Sequence, residues 1–210
     1  MICPLCERDT DKIVSSEIDK RLYYLCENCL LIFADLQHHL TPKAEAARYK
    51  THNNSINESG YVNFLNRLVK PLLPLLNERM LGLDYGCGPV PTLSLLLKME
   101  GIECEDYDPF FVRRILDKKY DFILSTECFE HFHKPKSELQ KISKLLKKGG
   151  YLGIMTELYS SLSQFKEWYY VKDHTHVVFY HIKTISFICE NYQYELVWHD
   201  NHRVFILRKL

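Results

Sequence analysis

The chain has 210 residues, of which 46% are hydrophobic, and its 27 Lys and Arg residues balance 27 Asp and Glu residues. This length suffices for one medium-sized core and one small additional module but excludes two large domains, and the charge balance excludes a global field that attracts nucleic acid or anionic membranes. No apolar run approaches the roughly 20 residues of a membrane span, and the first residues lack the basic and apolar regions of a signal peptide, so we expect a cytoplasmic protein with no membrane partner.

Four of the eight cysteines lie in the first 29 residues, as the pairs Cys3-x-x-Cys6 and Cys26-x-x-Cys29. Two such pairs separated by 19 residues can present four thiolates to one tetrahedral zinc ion, and in a reducing compartment this pattern favours metal over disulfides. We therefore predict a zinc ribbon over residues 1–35, stabilised by metal binding on the order of 10 kcal/mol. The closed site predicts a structural role, and the surplus of acids around it argues against binding to phosphates.

The next segment, residues 36–59, is polar and shows only a modest helical pattern near Pro42 to Tyr49. We predict a linker that packs on the main domain. From Tyr61 to Leu76 the apolar residues recur at a helical spacing, which predicts a helix with one apolar face. Pro71 and Pro74 are expected to bend or end that helix.

Residues 60–210 are predicted to form the main domain, in which strands alternate with helices. In chain order we predict strand 80–84, helix 92–99, strands 102–107 and 120–125, helix 136–146, strand 151–156, helix 184–191 and a closing hairpin of 194–198 with 204–208. This alternation favours an α/β fold with a mostly parallel sheet, and the hairpin adds an antiparallel strand at the C-terminal edge.

The stretch from Leu83 to Gly88, Leu-Asp-Tyr-Gly-Cys-Gly, follows the first strand of the main domain. Glycines at a strand end let the backbone approach a nucleotide-like ligand. The dinucleotide fingerprint needs a third glycine where this chain has Pro91, and Asp84 would repel a pyrophosphate, so NAD and FAD are disfavoured. Asp108 ends the second strand, where a carboxylate can accept both hydroxyls of a ribose. The pattern predicts a site for a nucleoside that carries a positive charge.

Several segments in this order resemble the class I S-adenosylmethionine-dependent methyltransferases. Residues 81–91 resemble the first motif of that family, and Asp108 resembles its ribose-binding acid. Residues 120–132 are similar to its fourth strand and the following loop, and residues 147–152 to the turn into its fifth strand. The resemblance covers about residues 60–210. Together with the four-cysteine head and the run from Asp173 to Tyr180, it extends to a bacterial group of zinc-ribbon methyltransferases.

The resemblance implies a Rossmann-like, doubly wound fold and two cofactors, S-adenosylmethionine and zinc. It also implies the residues that bind them. The implied S-adenosylmethionine-binding residues are Asp84, Tyr85, Gly86, Gly88, Asp108, Thr126 and Glu127, and the implied metal ligands are Cys3, Cys6, Cys26 and Cys29.

Two departures from the family pattern affect this site. Val90 stands where the family carries a further glycine, so we expect a tighter loop around the cofactor. Only 11 residues separate Asp108 from Tyr120, where the family has a helix, an edge strand and another helix. We therefore predict a shortened sheet edge that lacks the usual acid for the adenine amine, and the loop with Thr126 and Glu127 is expected to cover the adenine.

On the acceptor side the sequence offers His131, His176 and Tyr180. His131 follows the fourth strand, where the mouth of such a sheet opens. His176 and Tyr180 lie in an aromatic insertion, residues 160–181, which often forms a substrate lid in this fold. We predict an enzyme that transfers a methyl group to an oxygen or carbon of a small-molecule acceptor, with these three residues in catalytic roles.

Alternatives remain open at each of these points. His131 can be a structural residue rather than a general base, and the insertion can be a hydrophobic subdomain rather than a lid. The run Glu127-x-x-Glu130-His131 resembles a metal-ligand cluster of some quinone-pathway O-methyltransferases. One rival function is an RNA or protein methyltransferase in which the ribbon docks the substrate, and a basic patch that spans the ribbon and the active mouth would favour it. A second rival is a non-catalytic zinc-ribbon binding module with a degenerate fold. The oligomeric state is left undetermined.

Overall fold

A computed structural model describes residues 1–51, 54–114 and 117–210. The strands are β1 (Ile13–Val14), β2 (Tyr23–Leu25), β3 (Ile32–Ala34), β4 (Leu81–Tyr85), β5 (Glu103–Tyr107), β6 (Tyr120–Thr126), β7 (Leu146–Met155), β8 (Val178–Phe179), β9 (Tyr194–His199) and β10 (Val204–Lys209). The α-helices are α1 (Pro42–Tyr49), α2 (Ser59–Leu72), α3 (Thr92–Met99), α4 (Pro135–Leu145), α5 (Leu162–Lys166) and α6 (Ile182–Tyr192).

The main sheet has six strands in the order β5-β4-β6-β7-β10-β9. Strands β5, β4, β6 and β7 are parallel, and β10 pairs antiparallel with both β7 and β9. Asp84 lies opposite Asp106 on one side and Leu124 on the other. Because parallel strands end at the same edge of a sheet, the residues that follow β4, β5 and β6 meet there.

Both faces of this sheet are covered by helices, and side chains alternate between them along each strand. In β6, Phe122 and Leu124 pack with residues of α2 and α3. Ile123, between them, joins a second apolar layer with Leu139 of α4 and Ile185 of α6. A parallel sheet with helices on both faces is the doubly wound arrangement, so the predicted fold class is confirmed.

The helix predicted over 61–76 ends near its two prolines, as expected. Pro71 lies in the last turn of α2, and a short 3-10 helix, Leu73–Leu75, follows with Pro74 at its centre. Its apolar residues Leu65, Leu68 and Leu72 are buried against β7 and β10.

The sheet edge after β5 is short, as predicted. Asp108 and Val112 exchange backbone hydrogen bonds of 3.1 Å, which closes a tight turn. In the described residues between β5 and β6 (108–114 and 117–119) there is no helix and no further strand, so β5 is the edge of the sheet.

The segment predicted as a linker, residues 36–59, contains α1, and its residues 52 and 53 lie outside the described residues. Thr41 caps this helix by accepting the Ala44 N–H at 3.3 Å, and Pro42 occupies its first turn. Arg48 forms an ion pair with Asp173 of the insertion at 2.8 Å. The segment therefore contacts the main domain through α1. None of the helices in the described ranges is both long and apolar enough to cross a lipid bilayer.

The ribbon forms a second sheet, which includes a strand from the far end of the chain. Its order is β1-β2-β3-β8, with all neighbours antiparallel and Ile32 opposite Phe179. Tyr23 of β2 contacts the rings of Phe165 and Phe179 edge-on, at centroid distances of 5.3 and 5.7 Å. The ribbon and the insertion thus share one sheet and one apolar core.

Candidate active site

A cavity of about 890 Å³ opens at the carboxyl edge of the parallel strands. Its walls come from the turn after β4, the ends of β5 and β6, helix α1, and the 169–176 part of the insertion. This volume lies in the range of sites for small molecules and cofactors.

The turn after β4 presents bare backbone to this cavity. Gly86 and Gly88 have φ angles of 90° and 68°, which side-chain-bearing residues rarely adopt. A Cβ atom on Gly86 would lie 2.3 Å from the Sγ atom of Cys128, so a larger residue does not fit. Both glycines predicted from the sequence line the cavity; at Gly86 the missing side chain makes room for the Cys128 thiol, and at Gly88 the space is open.

Asp84 is a buried carboxylate in the cavity wall, with only 2% of the residue exposed. Among the described residues its Oδ1 atom has no hydrogen-bond partner. Burial, with added repulsion from Asp106 and Asp108, raises the pKa of Asp84 well above its usual value. A bound positive charge would balance this carboxylate, as expected for an amino-bearing or sulfonium ligand.

Asp108 also lines the cavity, and it fixes the shape of the turn that replaces the missing edge elements. Its Oδ2 atom accepts the Gly88 N–H at 3.0 Å, and its Oδ1 atom accepts the N–H groups of Phe110 and Phe111 at 2.7 and 3.1 Å. Each carboxylate oxygen has two lone pairs, so capacity remains for a ribose hydroxyl. The sequence predicted the ligand role and missed this organising role.

Three further predicted cofactor residues lie in the same cavity wall. The ring of Tyr85 is buried, and its hydroxyl donates to Glu138 at 2.5 Å. Thr126 ends β6, and Glu127 follows it with a φ angle of 47°. Burial and the neighbouring Glu130 carboxylate raise the pKa of Glu127 to about 7.

A buried arginine, Arg203, holds Glu127 in place. Arg203 donates to both carboxylate oxygens of Glu127, at 2.7 and 2.8 Å, and also to Glu157. Glu157 in turn accepts the indole N–H of Trp168 at 3.1 Å and the hydroxyl of Tyr169. Sequence reasoning missed Arg203, because it precedes β10 in the closing hairpin, far along the chain from its partners.

His131 and His176 also line the cavity and come together there, with ring centroids 4.8 Å apart. The Nδ1 atom of His131 lies 3.0 Å from the Thr175 carbonyl, and that of His176 lies 2.7 Å from the Tyr170 carbonyl. A carbonyl only accepts, so each Nδ1 carries the proton and each Nε2 of the neutral ring keeps a lone pair. Burial lowers the pKa of both imidazoles, that of His176 to about 3.

Two other residues suggested for the acceptor side, Tyr180 and Glu130, are fully buried. Tyr180 is fully buried, its hydroxyl donates to the Phe129 carbonyl at 3.2 Å, and it is absent from the described cavity wall. Glu130 is also fully buried, and its carboxylate accepts from Thr156 at 2.8 Å and Tyr170 at 2.5 Å. Glu130, His131 and His176 place one potential ligand atom each within 4.8 Å of the others.

The four ribbon cysteines converge on one another. The Sγ atoms of Cys3 and Cys29 are 3.6 Å apart and those of Cys6 and Cys26 are 3.3 Å apart. Zn–S bonds of about 2.3 Å in a tetrahedron place sulfur atoms about 3.8 Å apart. After each pair the chain turns through a residue of positive φ, Glu7 at 59° and Leu30 at 55°. The two turns thus aim four thiols at one point.

Comparison with known proteins places this architecture in a family. A family model described as a methyltransferase domain matches residues 49–199. A search of curated protein sequences found no significant match.

Solved structures share the fold at low sequence identity. One is magnesium protoporphyrin IX methyltransferase from Synechocystis PCC 6803 with bound SAH, at 14% identity and a TM-score of 0.57, covering 81% of this chain and 95% of that one. Another is an O-methyltransferase family protein from Burkholderia thailandensis, at 12% identity and a TM-score of 0.52, covering 79% and 62%. The mitomycin 7-O-methyltransferase has 12% identity and a TM-score of 0.53, covering 82% and 59%.

The family match covers well over half of the chain and includes the turn after β4, Asp108 and both cavity histidines. The chain therefore belongs to the methyltransferase domain family.

Proposed function

We propose that this enzyme transfers the methyl group of S-adenosylmethionine to a hydroxyl group of a small molecule. One observation carries the proposal: a single cavity is lined both by an unpartnered carboxylate beside a glycine turn and by two imidazoles whose Nδ1 atoms are bound to backbone carbonyls.

The cofactor is assigned to the wall formed by β4, β5 and α3. Asp84 would balance the positive charge of the cofactor, Gly86 and Gly88 would allow close backbone contact, and Asp108 would accept one of its ribose hydroxyls. Thr126, which ends β6, and Glu127, which follows it, would border the reacting end rather than cover the adenine, because β6 lies on the side of β4 away from Asp108. When bound, S-adenosylmethionine supplies an electrophilic methyl group on a sulfonium.

The acceptor is assigned to the wall that carries His131 and His176. A neutral imidazole Nε2 atom would accept the proton of an acceptor hydroxyl as the oxygen forms its bond to the methyl carbon and the C–S bond breaks, with S-adenosylhomocysteine as the leaving group. Aromatic rings around the pair, Tyr49 at 5.1 Å from His131 and Tyr170 at 4.3 Å from His176, suit a planar or sugar-like molecule. Tyr180 is left out of this proposal, since its hydroxyl is buried on a backbone carbonyl.

The rival function as an RNA or protein methyltransferase finds weaker support. A cleft of about 860 Å³ between the ribbon and helices α4 and α6 contains four lysines: Lys119, Lys136, Lys144 and Lys209. Lys136 is already paired with Glu7, and Lys209 donates to two backbone carbonyls. The described linings of the cleft and of the cavity share no residue, although Lys134, which directly precedes helix α4, and Lys141 of that helix line the cavity.

In the ribbon we propose one zinc ion per chain, bound by Cys3, Cys6, Cys26 and Cys29. The support is the convergence of four thiols within 4.8 Å of one another. Four protein ligands complete a tetrahedron, so the proposed role of this zinc is structural.

The cofactor assignment predicts opposite effects of Asp84→Asn on stability and on binding. The pKa of Asp84 is raised in the folded chain, so above the unfolded pKa of about 4 the ionised side chain lowers the free energy of unfolding. Asp84→Asn should therefore increase stability at pH 7 by about 1 kcal/mol or more, with a smaller gain near pH 4. It should also weaken S-adenosylhomocysteine binding about tenfold, because the balancing charge is lost. Urea unfolding and calorimetry measure the two effects.

Asp121→Asn provides a control of opposite sign. Burial alone would raise the pKa of Asp121, but the Leu81 N–H and the Lys147 ammonium lower it below its usual value. This variant should lose stability at pH 7 and keep its affinity. Tight binding by Asp84→Asn would contradict the cofactor assignment.

The acceptor assignment predicts which compounds take up labelled methyl from S-adenosylmethionine. Hydroxylated aromatics and polyols should be labelled on oxygen, and their methyl ethers should not be. His131→Gln should lower the rate about 100-fold, because a positioned base contributes roughly that factor, and His176→Gln should lower it less, because a pKa lowered to about 3 makes the His176 imidazole the weaker base. His174→Gln, an exposed neighbour, serves as the control. Labelling of RNA, protein or a carbon atom would contradict the proposal.

A further inference from the structure

Arg21 projects from the ribbon into the insertion of the main domain. It is buried, with 8% of the residue exposed, and its Nε atom donates to Asp19 at 2.6 Å. Its two terminal nitrogens donate to four backbone carbonyls of one loop, residues 171–176. The acceptors are, from Nη1, the carbonyls of His176 at 2.7 Å and His174 at 3.3 Å, and, from Nη2, those of Val171 at 2.6 Å and Asp173 at 3.4 Å.

The same loop carries one wall of the proposed active site. His176 lines the cavity, and its Nδ1 atom is held by the Tyr170 carbonyl at 2.7 Å. Asp173 accepts the N–H and the hydroxyl of Thr175 at 3.0 and 2.6 Å, and it pairs with Arg48 of α1. The carbonyls of the loop thus face the ribbon, and the side chains of His176 and Asp173 line the cavity.

Only arginine satisfies this arrangement. Its guanidinium offers five donors in a rigid plane, whereas a lysine ammonium offers three donors from a single atom. Without the guanidinium, the carbonyls of a buried loop would lose their partners, and the loop would have to rearrange to find others. Two further contacts connect the ribbon to the insertion. Strand β8 pairs with β3, and the Ala34 N–H donates to the Val177 carbonyl at 2.8 Å.

We propose that Arg21 is a positioning residue for His176, and that through it the ribbon is part of the acceptor wall. The ribbon then has a role in the reaction without touching the acceptor, in contrast to a docking arm for a large substrate. This inference uses the proposed acceptor face, but its test observes the His176 ring itself. Failure of the positioning role is therefore distinguishable from failure of the proposed methyl acceptor.

The test measures the protonation pattern of the His176 ring by long-range proton–nitrogen NMR of histidine-labelled, zinc-loaded protein, with the His176→Gln spectrum for assignment. The wild-type chain should show one tautomer with the proton on Nδ1. Arg21→Ala should lose this single-tautomer pattern while keeping its zinc content and its affinity for S-adenosylhomocysteine. Guanidinium ions at a non-denaturing concentration should restore the pattern, and methylammonium ions should not.

Lys20→Ala is the matched control, because Lys20 is the exposed neighbour of Arg21 and its spectrum should be unchanged. If Arg21→Ala does not retain zinc, Arg21→Lys is measured by the same criterion, since it keeps the charge and loses the planar fork. A wild-type His176 pattern in a zinc-loaded Arg21 variant would overturn the proposal. The proposal would also be overturned if Lys20→Ala lost the single-tautomer pattern to the same extent, or if methylammonium restored the pattern as effectively as guanidinium.

Discussion

Replacing Cys26 and Cys29 together with alanine is expected to remove the proposed zinc and unfold the ribbon. Binding of structural zinc contributes on the order of 10 kcal/mol in small domains, which is comparable to the entire stability of an ordinary folded chain. The small strands β1, β2 and β3 contain only two or three residues each, so they have little independent stability. Elemental analysis should find one zinc per chain in the wild type and none in the variant, and thermal unfolding should begin at a much lower temperature.

The effect should extend into the main domain, because Phe165 and Phe179 of the insertion pack on Tyr23 of the ribbon. Cys189→Ala is the matched control: Cys189 lies on α6, outside the cluster of four thiols, and this variant should keep its zinc. Zinc retained at one ion per chain in the double variant would contradict the ligand assignment.

Asp108→Ala is expected to abolish most of the affinity for the cofactor. The substitution removes the proposed ribose contact and leaves the N–H groups of Gly88, Phe110 and Phe111 without their acceptor. Lost hydrogen bonds to a charged group cost about 1.5–3 kcal/mol each, so a loss of about 100-fold in affinity follows even if the turn partly relaxes. Calorimetry with S-adenosylhomocysteine measures the change.

Glu103→Gln tests whether this loss is specific, since Glu103 begins the strand that Asp108 follows, β5, and has an exposed side chain. That variant should bind as the wild type does. The affinity of Asp108→Asn for S-adenosylhomocysteine should lie between those of Asp108→Ala and Glu103→Gln. The asparagine amide keeps one acceptor oxygen, but its NH2 group faces the other N–H group, which also donates. Affinity of Asp108→Ala within about twofold of the wild type, which is less than 0.5 kcal/mol, would show that Asp108 neither holds the ribose nor shapes the turn.

The elements of the main domain were predictable because their hydrophobic patterns are local. The predicted helix 92–99 matches α3 residue for residue, and the closing hairpin has the predicted strands with one more residue at the end of each. The 11 residues between Asp108 and Tyr120 also predicted a shortened sheet edge. Spacing alone gave no indication that the Asp108 carboxylate would organise the remaining turn.

Contacts between distant parts of the chain could not be predicted in this way. Strand β8 has two residues, too few for a periodic pattern, yet it completes the ribbon sheet. Arg21 and Arg203 look like ordinary surface residues in sequence, and only the folded chain brings them to buried carbonyls and carboxylates. Tyr180 is the opposite case, a residue close to His176 in sequence that does not join it in the cavity. Strand β8 lies between the two residues, and the Tyr180 hydroxyl faces the backbone.

The pairing of β3 with β8 has a consequence for how the protein is made. The cysteine-rich segment leaves the ribosome well before the strand that completes its sheet, because β3 ends at Ala34 and β8 begins only at Val178. A nascent ribbon that binds the proposed zinc early keeps an unpaired β3 edge until β8 has been synthesised. Maturation should therefore depend on the synthesis of β8 as much as on metal supply.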